Sequence, residues 1–276
     1  MKHPKLAEAI TFVSATNDRG ILESNFLASP FLAPGFPHQI LIQEGFSSAS
    51  LAYNDAIDKS ENDLIVFAHQ DILFAANWIE DLRLALARLE ETDPNWGVLG
   101  CYGETLHDNG RGYILSGAQG ILGKPFSQPE PVQTLDEIVL ILRKSSGMRF
   151  DESLPHFHFY GADISLQAAQ RKQGVYVIPA FCVHNTSQLL TLPSEFYECY
   201  SHFRMKWHDW LPIQTTVIRV TRSETPMYVR RIKEIYLKHV RRRTIGAHRV
   251  VSGQTLLRDF EQSSNRKNCL ERTERR

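Results

Sequence analysis

Long apolar runs are missing from this 276-residue chain. None approaches the ~20 residues of a membrane-spanning helix; the longest, 64–68 and 138–142, have the length of strands. The N-terminal Met1-Lys2-His3-Pro4-Lys5 lacks the apolar stretch and small-residue cleavage site of a signal peptide, which points away from secretion. Cysteine is scarce as well. Cys101, Cys182, Cys199 and Cys269 stand apart with no C-x-x-C pair, which fits a reducing compartment and excludes a zinc knuckle. Common catalytic signatures are absent. No G-x-G-x-x-G follows the first strand-like run, where only Gly20 occurs, and neither H-E-x-x-H nor G-x-S-x-G is found. Gly117 and Gly123-Lys124 imitate a P-loop, but the spacing is one residue too long and Pro125 replaces the Ser/Thr. Dehydrogenase, P-loop ATPase, zincin and serine hydrolase all lose ground. With 42% hydrophobic and 22% charged residues and no internal repeat, the composition is that of a globular protein.

Short runs rich in Val, Ile and Leu at 10–15, 39–43, 64–68, 97–101, 137–143 and 175–181 mostly lack polar alternation, as strands buried on both faces do. Helical patterns lie between them. Trp78, Leu82, Ala85, Leu86 and Leu89 form one apolar stripe after a potential Asn77 cap, and 162–173 reads as a helix closed by Gly174. This alternation predicts an α/β domain with a mainly parallel sheet flanked by helices.

Two regions depart from the pattern. Half of the sixteen glycines fall between Gly97 and Gly123, which predicts loops and hairpins there. The balance of 31 basic and 31 acidic residues conceals a split: residues 217–276 carry 16 Lys and Arg against 6 Asp and Glu, leaving 15 against 25 in the remainder. An aromatic helical stretch, 195–210, precedes that tail. We expect a domain at 1–215 and a basic C-terminal extension at 216–276.

Ligands of open parallel sheets bind beyond the carboxyl ends of the strands. Three strand-like runs here end in polar clusters: Thr16-Asn17-Asp18, Gln43-Glu44-Gly45 and His69-Gln70-Asp71. Asp71 follows the most buried-looking run. On position alone it suits either a loop or helix cap, or a carboxylate holding a divalent cation against a diphosphate.

The stretch Gly45-Phe46-Ser47-Ser48-Ala49-Ser50-Leu51-Ala52-Tyr53-Asn54, followed by a strand and His69-Gln70-Asp71, resembles the family 2 glycosyltransferases of the GT-A fold. Phe150-Asp151-Glu152, Tyr160-Gly161-Ala162-Asp163 and Val183-His184-Asn185 continue that family's order, and Lys206-Trp207 with Leu211-Pro212-Ile213 resembles a bacterial branch of it. The likeness spans about 8–215. It implies a Rossmann-like nucleotide-sugar-binding fold and an inverting, metal-dependent transfer of a hexosyl unit from a nucleotide-diphosphate sugar to a glycan or lipid-linked acceptor. By the resemblance Asp71 and His184 are ligands of Mn²⁺ or Mg²⁺, His69 stands towards the nucleotide, and Asp163 is the general base. Thr16, Asn17, Gln43, Glu44 and Asn54 lie on the donor side. Only the last acid of the D-x-D motif is present, and Ala162 replaces the first acid of the pair that ends in Asp163.

Other residues carry weaker signals. His156-x-His158 permits a metal pair, although packing or acceptor contact fits better without a third ligand nearby. Asp136-Glu137 precedes a strand on the expected acceptor side. The basic residues Arg230-Arg231, Lys233, Lys238, Arg241-Arg242-Arg243 and Arg249 suit a solvated face, an anionic membrane surface or, less well, nucleic acid. The expected location is cytoplasmic, or peripheral at the inner face of a membrane within polysaccharide biosynthesis. A non-catalytic GT-A-like nucleotide or glycan binder in an assembly complex is the rival reading, supported by the incomplete D-x-D motif.

Overall fold

The computed structural model describes residues 9–107, 110–186, 192–239 and 252–274. The N-terminal pentapeptide, Arg241-Arg242-Arg243 and Arg249 lie outside the described residues, as do the side chains of Lys238 and Cys269. The chain runs β1 (Thr11–Thr16), α1 (Arg19–Ser24), β2 (Gln39–Glu44), α2 (Ala49–Lys59), β3 (Leu64–Ala68), β4 (Ile72–Phe74), α3 (Trp78–Thr92), β5 (Trp96–Gly100), β6 (Tyr102–Glu104), β7 (Arg111–Ser116) and β8 (Gly120–Gly123). It continues with β9 (Glu130–Pro131), β10 (Thr134–Leu135), β11 (Val139–Arg143), α4 (Tyr160–Gln170), β12 (Gly174–Val177), β13 (Cys182–His184), α5 (Ser194–Lys206), β14 (Ile213–Gln214), β15 (Arg219–Val220), α6 (Thr225–His239) and α7 (Gly253–Glu274).

The expected α/β architecture is present. A seven-stranded sheet has the order β2-β1-β3-β11-β5-β12-β9. Its pairings β1–β2, β1–β3 and β5–β12 are parallel, while β11 enters antiparallel between β3 and β5. The unbroken apolar runs follow from burial of both faces. Ile65, Phe67, Leu140 and Leu142 pack on the side of α2, α4 and α5; Val66, Ala68, Val139 and Ile141 pack on the side of α3. A second, six-stranded sheet has the order β10-β6-β7-β13-β4, with β8 on β7.

The glycine-rich stretch builds that second sheet with hairpins, as its composition predicts. Gly112 (φ 127°) and Gly123 (φ 74°) stand so close that a Cβ on Gly123 would lie 1.9 Å from the Gly112 carbonyl oxygen. Only glycine fits there.

Several boundaries shift for local reasons. Asn77 does not cap α3 through its side chain; its amide donates instead to Asp81 at 2.7 Å. α4 ends at Gln170, Lys172 adopts the left-handed conformation (φ 59°), and Gly174 opens β12 rather than closing the helix. The run 137–143 becomes a strand only from Val139, because the Asp136 carboxylate turns the chain by accepting from the Ile138 N–H at 3.1 Å.

The expected boundary at 215/216 falls inside a packed unit. β14 and β15 form one hairpin across it, and Ile213, Ile218, Val220 and Met227 belong to the same core cluster as α5. Farther on, Leu256, Leu257 and Phe260 of α7 pack against Leu73, Leu115 and Val183. The Gly253 N–H donates to Asn25 Oδ1 at 2.9 Å. Apolar side chains in the tail therefore tie it to the body despite its charge.

Candidate functional site

Because β1, β2 and β3 are parallel neighbours, their polar carboxyl ends share one edge of the sheet. A cavity of about 530 Å³ opens there, lined by Thr16, Asn17, Gln43, His69 and Asp71, together with Gln70, Tyr53, Phe157 and Tyr160. His184 arrives from the second sheet. β13 pairs antiparallel with β4 so that His184 stands opposite Ile72, the residue after Asp71. Its Nε2 lies 3.4 Å from Asp71 Oδ1. His69, Asp71 and His184 each offer one ligand atom, and these atoms all lie within 4.8 Å of one another.

Two imidazoles beside one carboxylate make a mixed nitrogen and oxygen donor set that suits Mn²⁺ better than Mg²⁺. Burial lowers the His69 pKa, with repulsion from His184 adding to it and Asp71 opposing. The neutral imidazole that results is the form that ligates metal. Tyr160 fixes the ring through its hydroxyl, 2.9 Å from His69 Nε2. Burial, chiefly, holds the Tyr160 hydroxyl well above the usual phenol range.

Not all predicted site residues reach the cavity. Glu44 is exposed and stands 3.6 Å from Arg19. Asn54 is buried, and its side chain staples the Phe150-Asp151-Glu152 element: Nδ2 donates to Phe150 O at 2.9 Å and to Glu152 at 2.8 Å, and Oδ1 accepts from the Phe150 N–H at 2.9 Å. This corrects the donor-side expectation for Asn54. Asn54→Ala should lower stability by about 1–3 kcal/mol for each buried group left unsatisfied. Chemical denaturation checks this.

Asp163 is a larger correction. It lines neither cavity, and its carboxylate is fully engaged within the protein. Lys206 Nζ donates to its two oxygens at 2.7 and 2.9 Å, Trp207 Nε1 to Oδ1 at 2.7 Å and Gln167 Nε2 to Oδ2 at 2.7 Å. Lys206 also binds Asp151 at 2.5 Å. Burial pushes Asp151 up, but hydrogen bonds from Lys206 and Ser153 outweigh it and hold the carboxyl at about 2. The motif acids Asp151 and Asp163 are thus knotted together by the Lys206-Trp207 pair.

Sequence reasoning passed over Gln70. Its Oε1 accepts from the Thr16 hydroxyl, the Asn17 N–H (3.2 Å) and the Asp18 N–H (3.1 Å), while Nε2 donates to Asn17 Oδ1 at 2.7 Å. The central residue of the incomplete D-x-D motif therefore shapes the loop after β1.

A second cavity of about 490 Å³ shares His69 with the first. Glu104, Asp136, Glu137, His158, Ala162 and His184 are among its walls. Burial first, and repulsion from Asp136 second, raise Glu137 to about 8 and Glu104 to about 7. Glu137 is held by the N–H groups of Phe159 and Gly161. Among the described residues the Glu104 carboxylate accepts no hydrogen bond. His156 and His158 diverge rather than forming a metal pair. His156 binds Glu198 at 2.8 Å, whereas His158 packs edge-on against Phe196 and burial lowers it to about 4. His156 (φ 56°) and Phe159 (φ 65°) both hold left-handed backbone, a strain concentrated where this segment meets both cavities.

No known family's sequence pattern matches the chain. A curated relative, ATP synthase subunits region ORF 6 of Fuscovulum blasticum, is 27% identical over 153 residues, 54% of this chain. The match spans 61% of that relative's length. Solved structures with similar coordinates include residues 1–349 of S. aureus TarS (TM-score 0.46, 12% identity, 85% of this chain and 73% of that one). GalNAc-T7 with UDP, GalNAc and Mn²⁺ matches with TM-score 0.47 and 9% identity over 90% of this chain and 59% of that one. The mannosyltransferase PcManGT of Pyrobaculum calidifontis with GDP-Man and Mn²⁺ matches with TM-score 0.43 and 12% identity, over 84% of this chain and 70% of that one.

Proposed function

We propose that the chain is a GT-A-type glycosyltransferase that takes a nucleotide-diphosphate sugar in the first cavity and an acceptor hydroxyl in the second. The observation that carries this reading is the His69–Asp71–His184 cluster at the carboxyl edge of the parallel strands, beside a cavity lined by Thr16, Asn17 and Gln43. Those three residues supply hydrogen-bonding groups for the base and ribose. A divalent ion held by the cluster would neutralise charge on the departing diphosphate.

The base assignment moves from Asp163 to Glu104. Asp163 has no path to substrate, and among the three acids of the second cavity Glu137 and Asp136 are tied to backbone N–H groups. Glu104 faces the cavity with its carboxyl raised towards neutrality, where a general base works best. The acceptor O–H gives its proton to Glu104 as its oxygen bonds to the anomeric carbon. The bond from that carbon to the diphosphate oxygen breaks, and its electron pair leaves with the nucleotide. One displacement of this kind inverts the anomeric centre.

The test pairs binding with turnover. Calorimetric titration of UDP and GDP in Mn²⁺ and in EDTA should show metal-dependent binding of one of them. Glu104→Gln should retain that binding and lose transfer to added monosaccharides by ~10²–10⁴-fold. The wild-type rate should rise as Glu104 deprotonates through about 7, and the glutamine variant should lose that limb. A protein that binds nucleotide yet transfers nothing would match the second, non-catalytic reading, which the engagement of Asp163 favours.

A further inference from the structure

Helix α6 shows an unusual distribution of side chains. Met227 and Glu234 are buried, and they anchor the helix to the body. Glu234 accepts from the Tyr197 hydroxyl of α5 at 2.7 Å and from Arg230 at 3.1 Å, and Arg230 also donates to the Val217 carbonyl at 3.1 Å. At 3.6 residues per turn, Tyr228, Val229, Ile232 and Tyr236 fall within an arc of about 100° on another side of the helix. They are 58%, 59%, 67% and 52% exposed. Arg231 flanks this arc on one edge and Lys233 on the other, both exposed.

An apolar strip this concentrated is costly to leave in water, and scattered surface hydrophobics do not arrange themselves on one helical face. Its chemistry selects the occupant. A protein partner of ordinary kind would need only the apolar strip. Basic residues on both edges, two tyrosines within it and a terminal region with 16 basic against 6 acidic residues match the negatively charged headgroup layer of a bilayer. The helix cannot enter further: among the described residues no helix is long and apolar enough to cross a membrane.

We infer that α6 is an interfacial membrane helix that lays Tyr228, Val229, Ile232 and Tyr236 into the surface of an anionic bilayer while Met227 and Glu234 hold it to the catalytic body. The segment also borders the second cavity, which Thr216, Val217 and Arg230 help to line. Resting on the acceptor reading above, this places the lipid surface beside the acceptor cavity and points to an acceptor hydroxyl carried on a lipid.

The experiment is flotation of the full chain with vesicles, so it is independent of any transferase activity. Vesicles of phosphatidylcholine with one third phosphatidylserine should carry the protein, and pure phosphatidylcholine should carry at least ~10-fold less. The paired substitution Tyr228→Ser with Ile232→Asp should cut the bound fraction at least ~10-fold with an unchanged melting curve, since both side chains are exposed. Three results would overturn the inference. The wild type could fail to float on either vesicle. The paired variant could float as well as the wild type, which would assign binding to the basic residues alone. Light scattering could show a dimer that the paired variant dissociates, which would make the strip an interface with a second copy.

Discussion

Asp163→Asn should destabilise the protein by about 3 kcal/mol, the scale of removing one partner from a buried ion pair. For a chain of this size that lowers the melting temperature by roughly 6–12 °C. The reason is geometric. The carboxylate is 1% exposed and accepts from Lys206, Trp207 and Gln167, so an asparagine amide would turn a donor towards donors. Lys206 would keep Asp151, but its ammonium would lose the charge of the inner acid and its contact with whichever oxygen the amide nitrogen replaces. Metal and nucleotide binding per folded molecule should survive. The opposite pattern, an unchanged melting curve with transfer abolished, would restore Asp163 as the base and remove Glu104.

The same knot has a pH signature. Asp151 titrates at about 2 against an ordinary value of 3.8, so its folded pKa is depressed. Its contribution is therefore fully present above about pH 4 and is lost as pH falls through about 2. Acid should loosen the contact between the segment after Phe150 and α5.

Much of this was legible in the sequence because burial on both faces leaves a direct mark. The runs at 64–68 and 39–43 became β3 and β2 nearly residue for residue, and Asp71 and His69 follow from where β3 ends. His184 also lines up with Asp71, although that depends on the β4–β13 register, which no local pattern encodes. The failures have one physical source. Asn54 and Asp163 are polar residues at family-like spacing, and sequence spacing does not tell a side chain open to a cavity from one satisfied by distant partners. Lys206 is 43 residues beyond Asp163, and its role as the partner was visible only once α5 was seen to pack against α4. Glu104 was missed for the converse reason. It sits in the glycine-rich hairpins, where nothing periodic marks which side chain faces a cavity. The charge contrast of the tail was read correctly as composition but overread as separation, since the apolar residues of β15, α6 and α7 decide what it packs on.

Asp71→Asn should abolish divalent-ion binding with little change in fold. Asparagine keeps the shape of the side chain but removes the only negative charge of the His69–Asp71–His184 cluster. Loss of a second-shell partner costs metal affinity about 10–100-fold, and loss of the only charged ligand should exceed that range. Tyr160→Phe supplies the calibration. It removes only the hydroxyl that orients His69, so Mn²⁺ affinity should fall within about 10–100-fold and no further. Electron paramagnetic resonance of free Mn²⁺, titrated with each protein in the presence of UDP or GDP, measures every affinity without requiring turnover. The order should be wild type, Tyr160→Phe, then Asp71→Asn, with Glu104→Gln matching the wild type because Glu104 lies outside the ligand cluster. Equal Mn²⁺ affinity in the wild type and Asp71→Asn would remove the ion from Asp71 and, with it, the support for holding a diphosphate at the end of β3.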